Sequence, residues 1–107
     1  MCGLAGEIRF DQRPASVDRV SRMARTQSRR GPDGSGIFGY GKVALGHSRL
    51  KIIDLTDRGR QPMIDAELNL TLVFNGCIYN HTEIRRKLTA RGYHFFSNSD
   101  SEVILKA

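Results

Sequence analysis

The residues best suited to chemistry in this chain are Cys2, Arg49, the Asn75-Gly76 pair and Asp100. Cys2 follows the initiator methionine, and a side chain that small permits removal of Met1. The mature chain would then carry a thiol and a free α-amino group on one residue. An α-amino group titrates near ~7.7–8.0 and a free thiol near ~8.5. Such an amine is close to the ideal basicity for a general base at neutral pH, and it can activate the thiol without a histidine. Gly3 and Gly6 leave room for close backbone approach near this nucleophile. Six residues alone also fit a buried structural cysteine opening an edge strand.

The other candidates are equally two-sided. Asn75-Gly76 between apolar runs is the strongest local signal for a hairpin turn. It could also supply an oxyanion hole, from the Asn75 amide and the Gly76 N–H. Arg49 ends an apolar stretch after Gly46-His47-Ser48. Its guanidinium could hold a carboxylate through two parallel hydrogen bonds, or simply be solvated. His47 beside a strand glycine reads as structural. Asp100 suits the first turn of a helix and could take a substrate ammonium. The histidines match no zinc spacing, and no phosphate-binding glycine loop is present, so no metal site is expected.

These groups need elements to hold them. Gly3 to Phe10 reads as a strand, and Ser16 caps a helix running to about Ser28. Short strands are expected near Ser35–Phe38 and Lys42–Arg49, joined through Gly39-Tyr40-Gly41. Asp57 to Met63 reads as a polar loop, and Leu70 to Phe74 as a buried strand. Asn80 and Glu83 form a capping box for a helix that Gly92 stops. Tyr93 to Phe96 reads as a short strand. Ser99 and Glu102 form a second capping box, for a helix opening at Asp100. This mixed order favours α+β. The last helix runs into the C-terminus without a stop signal, which reads as a truncation.

The chain has 107 residues, 39% hydrophobic and 26% charged, as in a soluble globular domain. No apolar stretch is long enough to span a membrane, and no signal peptide opens the chain. The expected location is the cytoplasm, where two cysteines stay as free thiols. The net charge of +6 and pI near 9.9 raise nucleic-acid binding. However, Arg19, Arg22, Arg25 and Arg29 recur at helical spacing opposite Val17, Val20, Met23 and Gln27, the pattern of a solvated helix face. Neither a nucleic-acid nor a membrane partner is expected.

Five motifs occur together in order: MCGLAG at the start, RGPDG at 30–34, GHSRL at 46–50, FNGCIYN at 74–80 and SNSDSEVIL at 97–105. In order and approximate spacing they resemble the class II glutamine amidotransferase domain, in the branch of the glutamine-hydrolysing asparagine synthetases. The resemblance covers essentially the whole chain, residues 1–107, and favours the functional readings above. It implies an N-terminal-nucleophile hydrolase fold, a four-layer α/β/β/α sandwich, here truncated. It implies that Cys2 attacks the side-chain amide of glutamine while its α-amino group shuttles the proton. Asn75 and Gly76 would stabilise the oxyanion. Arg49 would bind the substrate α-carboxylate, Leu50 to Ile53 would line the pocket, and Asp100 would bind the α-ammonium beside Cys77. Glutamine would be the small-molecule substrate, and ammonia would serve the ATP-dependent amidation of a carboxylate. ATP and Mg²⁺ would belong to a C-terminal domain absent from these residues, with no cofactor here. A homodimer is one arrangement open to the full-length protein.

Two departures from the family pattern stand out. The family's glutaminase domain is about twice this length, so later strands are missing. Asparagine synthetases usually carry Glu where this chain has Cys77, and that Glu helps hold the substrate ammonium. Cys77 together with IRFDQRPA is more similar to the N-acetylglutaminylglutamine amidotransferases, which amidate a dipeptide. A non-catalytic binding or regulatory module that kept the fold is the competing reading.

Overall fold

A computed structural model of the chain describes residues 1–107. Its strands are β1 (Gly3–Ile8), β2 (Gly34–Tyr40), β3 (Val43–Arg49), β4 (Met63–Asp65) and β5 (Leu70–Leu72). Its helices are α1 (Val17–Thr26), α2 (His81–Ala90) and α3 (Asp100–Lys106), with one 3-10 turn at Asp57–Gly59. The strands form two antiparallel sheets, a three-stranded one in the order β1-β3-β2 and a two-stranded β4-β5 pair. Helix α1 lies on one face of the larger sheet, while α3 packs on the smaller sheet and on α2. The class is α+β, as the sequence implies.

Small residues let α1 sit close to its sheet. Ala5, Ala44 and Val20 form the buried cluster, with Ala15 and Met23 packed around it. Ser48 Oγ donates to the Ala24 carbonyl across 3.0 Å, tying β3 to the helix. Ser16 caps α1 as expected, accepting from the Arg19 N–H. Glu7 of β1 takes the Ser16 N–H at 3.0 Å and the Arg19 guanidinium at 2.5 Å. The arginines of α1 do form the exposed face, although Val17 on the apolar side is itself exposed. On the sheet face turned from α1, Leu4 and Ile8 of β1 and Tyr40 of β2 are open to solvent.

Several expected boundaries shift. Strand β1 ends at Ile8, and helix α1 ends at Thr26. Gly39 and Tyr40 belong to β2, and the chain reverses at Gly41-Lys42, where Gly41 takes a φ of +53°. The stretch read as a loop from Asp57 contains the 3-10 turn and ends in β4, whose Met63 pairs with Leu72 of β5. Strand β5 stops at Leu72, leaving Phe74 outside it. Asn80 makes no side-chain cap, and Glu83 pairs instead with Lys87 at 2.8 Å, one turn along the helix. Tyr93 to Phe96 finds no partner strand. Its end is held by Glu102, which accepts from the Phe96 and Ser97 N–H groups at 2.8 and 2.7 Å. Glu102 therefore does not complete the expected box. Ser99 does cap α3, accepting from the Ser101 N–H at 3.1 Å.

Candidate active site

Register alone places the candidate nucleophile. Gly3 of β1 pairs with Ser48 of β3 in an antiparallel ladder, so one residue earlier Cys2 lies beside Arg49 and Leu50. The Leu50 N–H donates to Cys2 Sγ across 3.2 Å, and the thiol lies 3.5 Å from the Leu50 carbonyl. Cys2 is half-buried.

The loop after β3 is held from three sides. Arg49 is buried, and its two terminal nitrogens donate to the carbonyls of Asp54 and Thr56. It is thus no solvated strand end. Guanidinium has five N–H donors, so others stay available to a ligand. Asp33 of the RGPDG motif accepts from the Lys51 N–H at 2.9 Å. Gly31 of the same motif lies against β3, where an added Cβ would stand 2.1 Å from the Ser48 carbonyl oxygen. That motif therefore packs against the end of β3 and the backbone that follows it. Asp54 accepts from the Thr56 N–H and hydroxyl at 2.8 and 2.6 Å and from the Asn98 N–H at 2.8 Å. Burial alone would raise the Asp54 carboxyl, but these donors and the nearby Arg49 charge leave it below its usual range. Asp54 links the loop after β3 to the segment that opens α3.

Asn75 and Gly76 follow β5 but join no pair of strands, so they do not form a hairpin turn. A Cβ on Gly76 would stand 2.6 Å from the Phe74 ring, so only glycine fits there without displacing the ring. Asp100 is buried at the start of α3, where its Oδ2 accepts the Ile78 N–H at 2.9 Å. Cys77 lies between these points and is exposed.

Cys2, Arg49, Leu50, Ile53, Asn75, Gly76, Cys77 and Asp100 all line one cavity of about 290 Å³. That volume suits a ligand of amino-acid size. The cavity gathers residues from four distant parts of the chain. Met1 is among its lining residues. No group of three or more His, Cys, Asp or Glu side chains is arranged to hold a metal ion.

His47 does not reach the cavity. It is fully buried, with Nε2 3.2 Å from the Phe74 carbonyl and Nδ1 without a partner. Burial depresses its basicity, against the opposing pull of the Phe74 carbonyl, and the Arg49 charge depresses it further. It is a neutral structural ring, as the sequence suggests. Sequence reasoning missed Asp54, Gln61, Phe74, Ser99 and Ser101 on the cavity wall. Asp54 and Thr56 carry the signature of an aspartate-centred turn. Gln61 carries no local signal, because it sits in a polar stretch.

The whole chain, residues 1–107, matches the family model described as glutamine amidotransferase domain. It is 39% identical over 108 residues to asparagine synthetase [glutamine-hydrolyzing] 3 of Bacillus subtilis, covering 98% of this chain and 17% of that protein. A second Bacillus subtilis relative, asparagine synthetase [glutamine-hydrolyzing] 1, is 37% identical with the same coverage. The asparagine synthetase [glutamine-hydrolyzing] of Brassica oleracea is 39% identical over 105 residues, covering 97% of this chain and 17% of that protein. The chain belongs to the glutamine amidotransferase domain family. Its α+β architecture is consistent with a truncated N-terminal-nucleophile hydrolase domain. It spans 17% of the length of the Bacillus relatives. No helix is long and apolar enough to cross a membrane.

Proposed function

We propose that these residues are the N-terminal part of the glutaminase domain of a longer, glutamine-dependent amidotransferase. One observation carries the reading: the cavity beside Cys2 Sγ also collects Arg49, Asn75, Gly76 and Asp100. Loss of Met1 frees the Cys2 α-amino group, which takes the thiol proton. The sulfur bonds to the side-chain amide carbon of glutamine, and the carbonyl oxygen becomes an oxyanion. The Asn75 amide and Gly76 N–H stabilise that charge. The amine returns its proton to the leaving nitrogen, ammonia departs and a thioester remains. Water cleaves the thioester to release glutamate and the thiol. Arg49 binds the α-carboxylate, and Asp100 the α-ammonium.

In the whole protein, ammonia is transferred to a carboxylate activated with ATP and Mg²⁺, outside these residues. The relatives' names make aspartate the first acceptor to test, and Cys77 keeps an N-acetylglutaminylglutamine-type dipeptide as the second. A cytoplasmic setting accompanies this reading, since it keeps Cys2 reduced. The competing reading, a binding module with weakened glutamine recognition, rests on the exposed Cys77, which puts no carboxylate side chain at that position. Glutamate release from glutamine by the full-length protein and its Cys2→Ala variant separates the two. Release that vanishes in the variant supports the enzyme, and no release from the wild type supports the module.

A further inference from the structure

The Phe74 peptide is gripped on both sides by residues outside the catalytic set. Its N–H donates to Gln61 Oε1 at 2.5 Å, and its carbonyl faces His47 Nε2 at 3.2 Å. Gln61 is itself buried, and its Nε2 donates to Ser101 Oγ at 3.1 Å, next to Asp100 on α3. Four residues on, the Ile78 N–H is held by Asp100. The stretch Asn75-Gly76-Cys77 is therefore suspended between two anchored peptides. Both anchors lead back to the same turn of α3, and one leads also to β3, two residues before Arg49.

We propose that Gln61 and His47 form a clamp on the Phe74 peptide that positions Asn75 and Gly76 for the reaction at Cys2. Both act as positioning residues: His47 lies outside the cavity, and Gln61, on its wall, spends its amide on Phe74 and Ser101. The inference deepens the proposed glutaminase reading and rests on it. The chemistry of the clamp is specific. Gln61 must accept from Phe74 and donate to Ser101, so its amide orientation is fixed by its two partners. His47 must carry its proton on Nε2 to donate to Phe74, which leaves the partnerless Nδ1 bare. A neutral ring meets that requirement, and burial favours it. An oxyanion hole works only if its donors are fixed before charge develops. A displacement of about 1 Å at such a site can cost about a hundredfold in rate.

The experiment uses the full-length protein with Gln61→Met, which keeps size but makes neither bond, and Gln61→Glu, which can accept from both Phe74 and Ser101. His47→Leu is the second variant, attacking the clamp from its other side. Steady-state glutamine hydrolysis and amide hydrogen exchange are measured on each. The expected result for Gln61→Met is a kcat lowered about tenfold to a hundredfold with KM for glutamine within about twofold. Gln61→Glu recovers part of the lost kcat. Exchange at Phe74 to Gly76 accelerates in Gln61→Met and in His47→Leu, while the amides of β1 and β3 remain protected. A Gln61→Met protein with wild-type kcat, or with unchanged exchange at Phe74 to Gly76, overturns the clamp. Global loss of protection in both Gln61→Met and His47→Leu also overturns it, because the residues would then serve folding alone. A wild type inert toward glutamine overturns the functional reading instead, while exchange still reports whether the Phe74 peptide is held.

Discussion

The Leu50 N–H points at Cys2 Sγ across 3.2 Å, joining the residue just before β1 to the loop that follows β3. This contact follows from the β1–β3 register, in which Gly3 sits opposite Ser48. Any change that moves the loop after Arg49 therefore also moves the donor beside the nucleophile.

Arg49→Lys tests that coupling. Lysine keeps the charge but loses the planar fork, so it cannot hold the Asp54 and Thr56 carbonyls as Arg49 does. Loss of one charge-assisted hydrogen bond costs about 1.5–3 kcal/mol. We expect kcat/KM for glutamine to fall about tenfold to a hundredfold, chiefly through KM, with ammonia-driven turnover of the full-length protein retained. Equal loss of both activities would assign Arg49 to folding alone.

Two substitutions divide the Asp100 contact with Ile78 from its proposed role toward the substrate ammonium. Asp100→Asn keeps an acceptor for the Ile78 N–H but removes the charge offered to the substrate ammonium. Asp100→Ala removes both. The expected outcome is a raised glutamine KM in both variants, with a lowered thermal midpoint only in Asp100→Ala. A normal KM in Asp100→Asn would contradict the ammonium assignment.

Cys77→Glu should strengthen glutamine binding. Cys77 is exposed at the cavity rim, so a carboxylate there would stay solvated and add a second negative charge near Asp100. A second charge-assisted bond contributes about 1.5–3 kcal/mol in full, and less at a wet rim. We expect KM for glutamine to fall up to about tenfold. An unchanged or higher KM would reject the idea that ammonium binding is shared by these two positions.

The candidate site was legible from sequence only as far as its residues sit inside dense local motifs. Cys2, Arg49, Asn75 and Asp100 each stand in such a motif, and all four meet at one cavity. The supports were not legible, because they act over long separations. Gln61 bonds Phe74 thirteen positions away and Ser101 forty away. Nothing in a polar stretch announces such reach. The misread strand at Tyr93–Phe96 has a related cause: its apolar residues pack under charged groups instead of pairing. Phe95 lies 4.3 Å beneath the Arg85 guanidinium. Fold class survived these errors because it depends on element type more than on boundaries.

Stability in acid should depend on the pair between Asp65 of β4 and Lys106 of α3, 2.7 Å apart and both buried. The Lys106 ammonium, with the Leu68 N–H, holds the Asp65 carboxyl below its usual 3.8. A depressed carboxyl stabilises the fold above its unfolded value and loses that contribution as pH falls through the folded one. Thermal midpoints should therefore drop below about pH 4. Lys106→Met strands a covered carboxylate and should cost about 3 kcal/mol, the low end for a covered pair. A Lys106→Met midpoint equal to wild type at pH 7 would show the pair to be neutral.

The central claim is that Cys2, freed of Met1, is the nucleophile toward glutamine. An electrophilic glutamine analogue, a γ-diazoketone, should trap it in the full-length protein, read by peptide mass mapping. The account predicts one adduct, on a peptide that begins at Cys2, prevented by excess glutamine. An adduct on Cys77, or one on a peptide still carrying Met1, would contradict it.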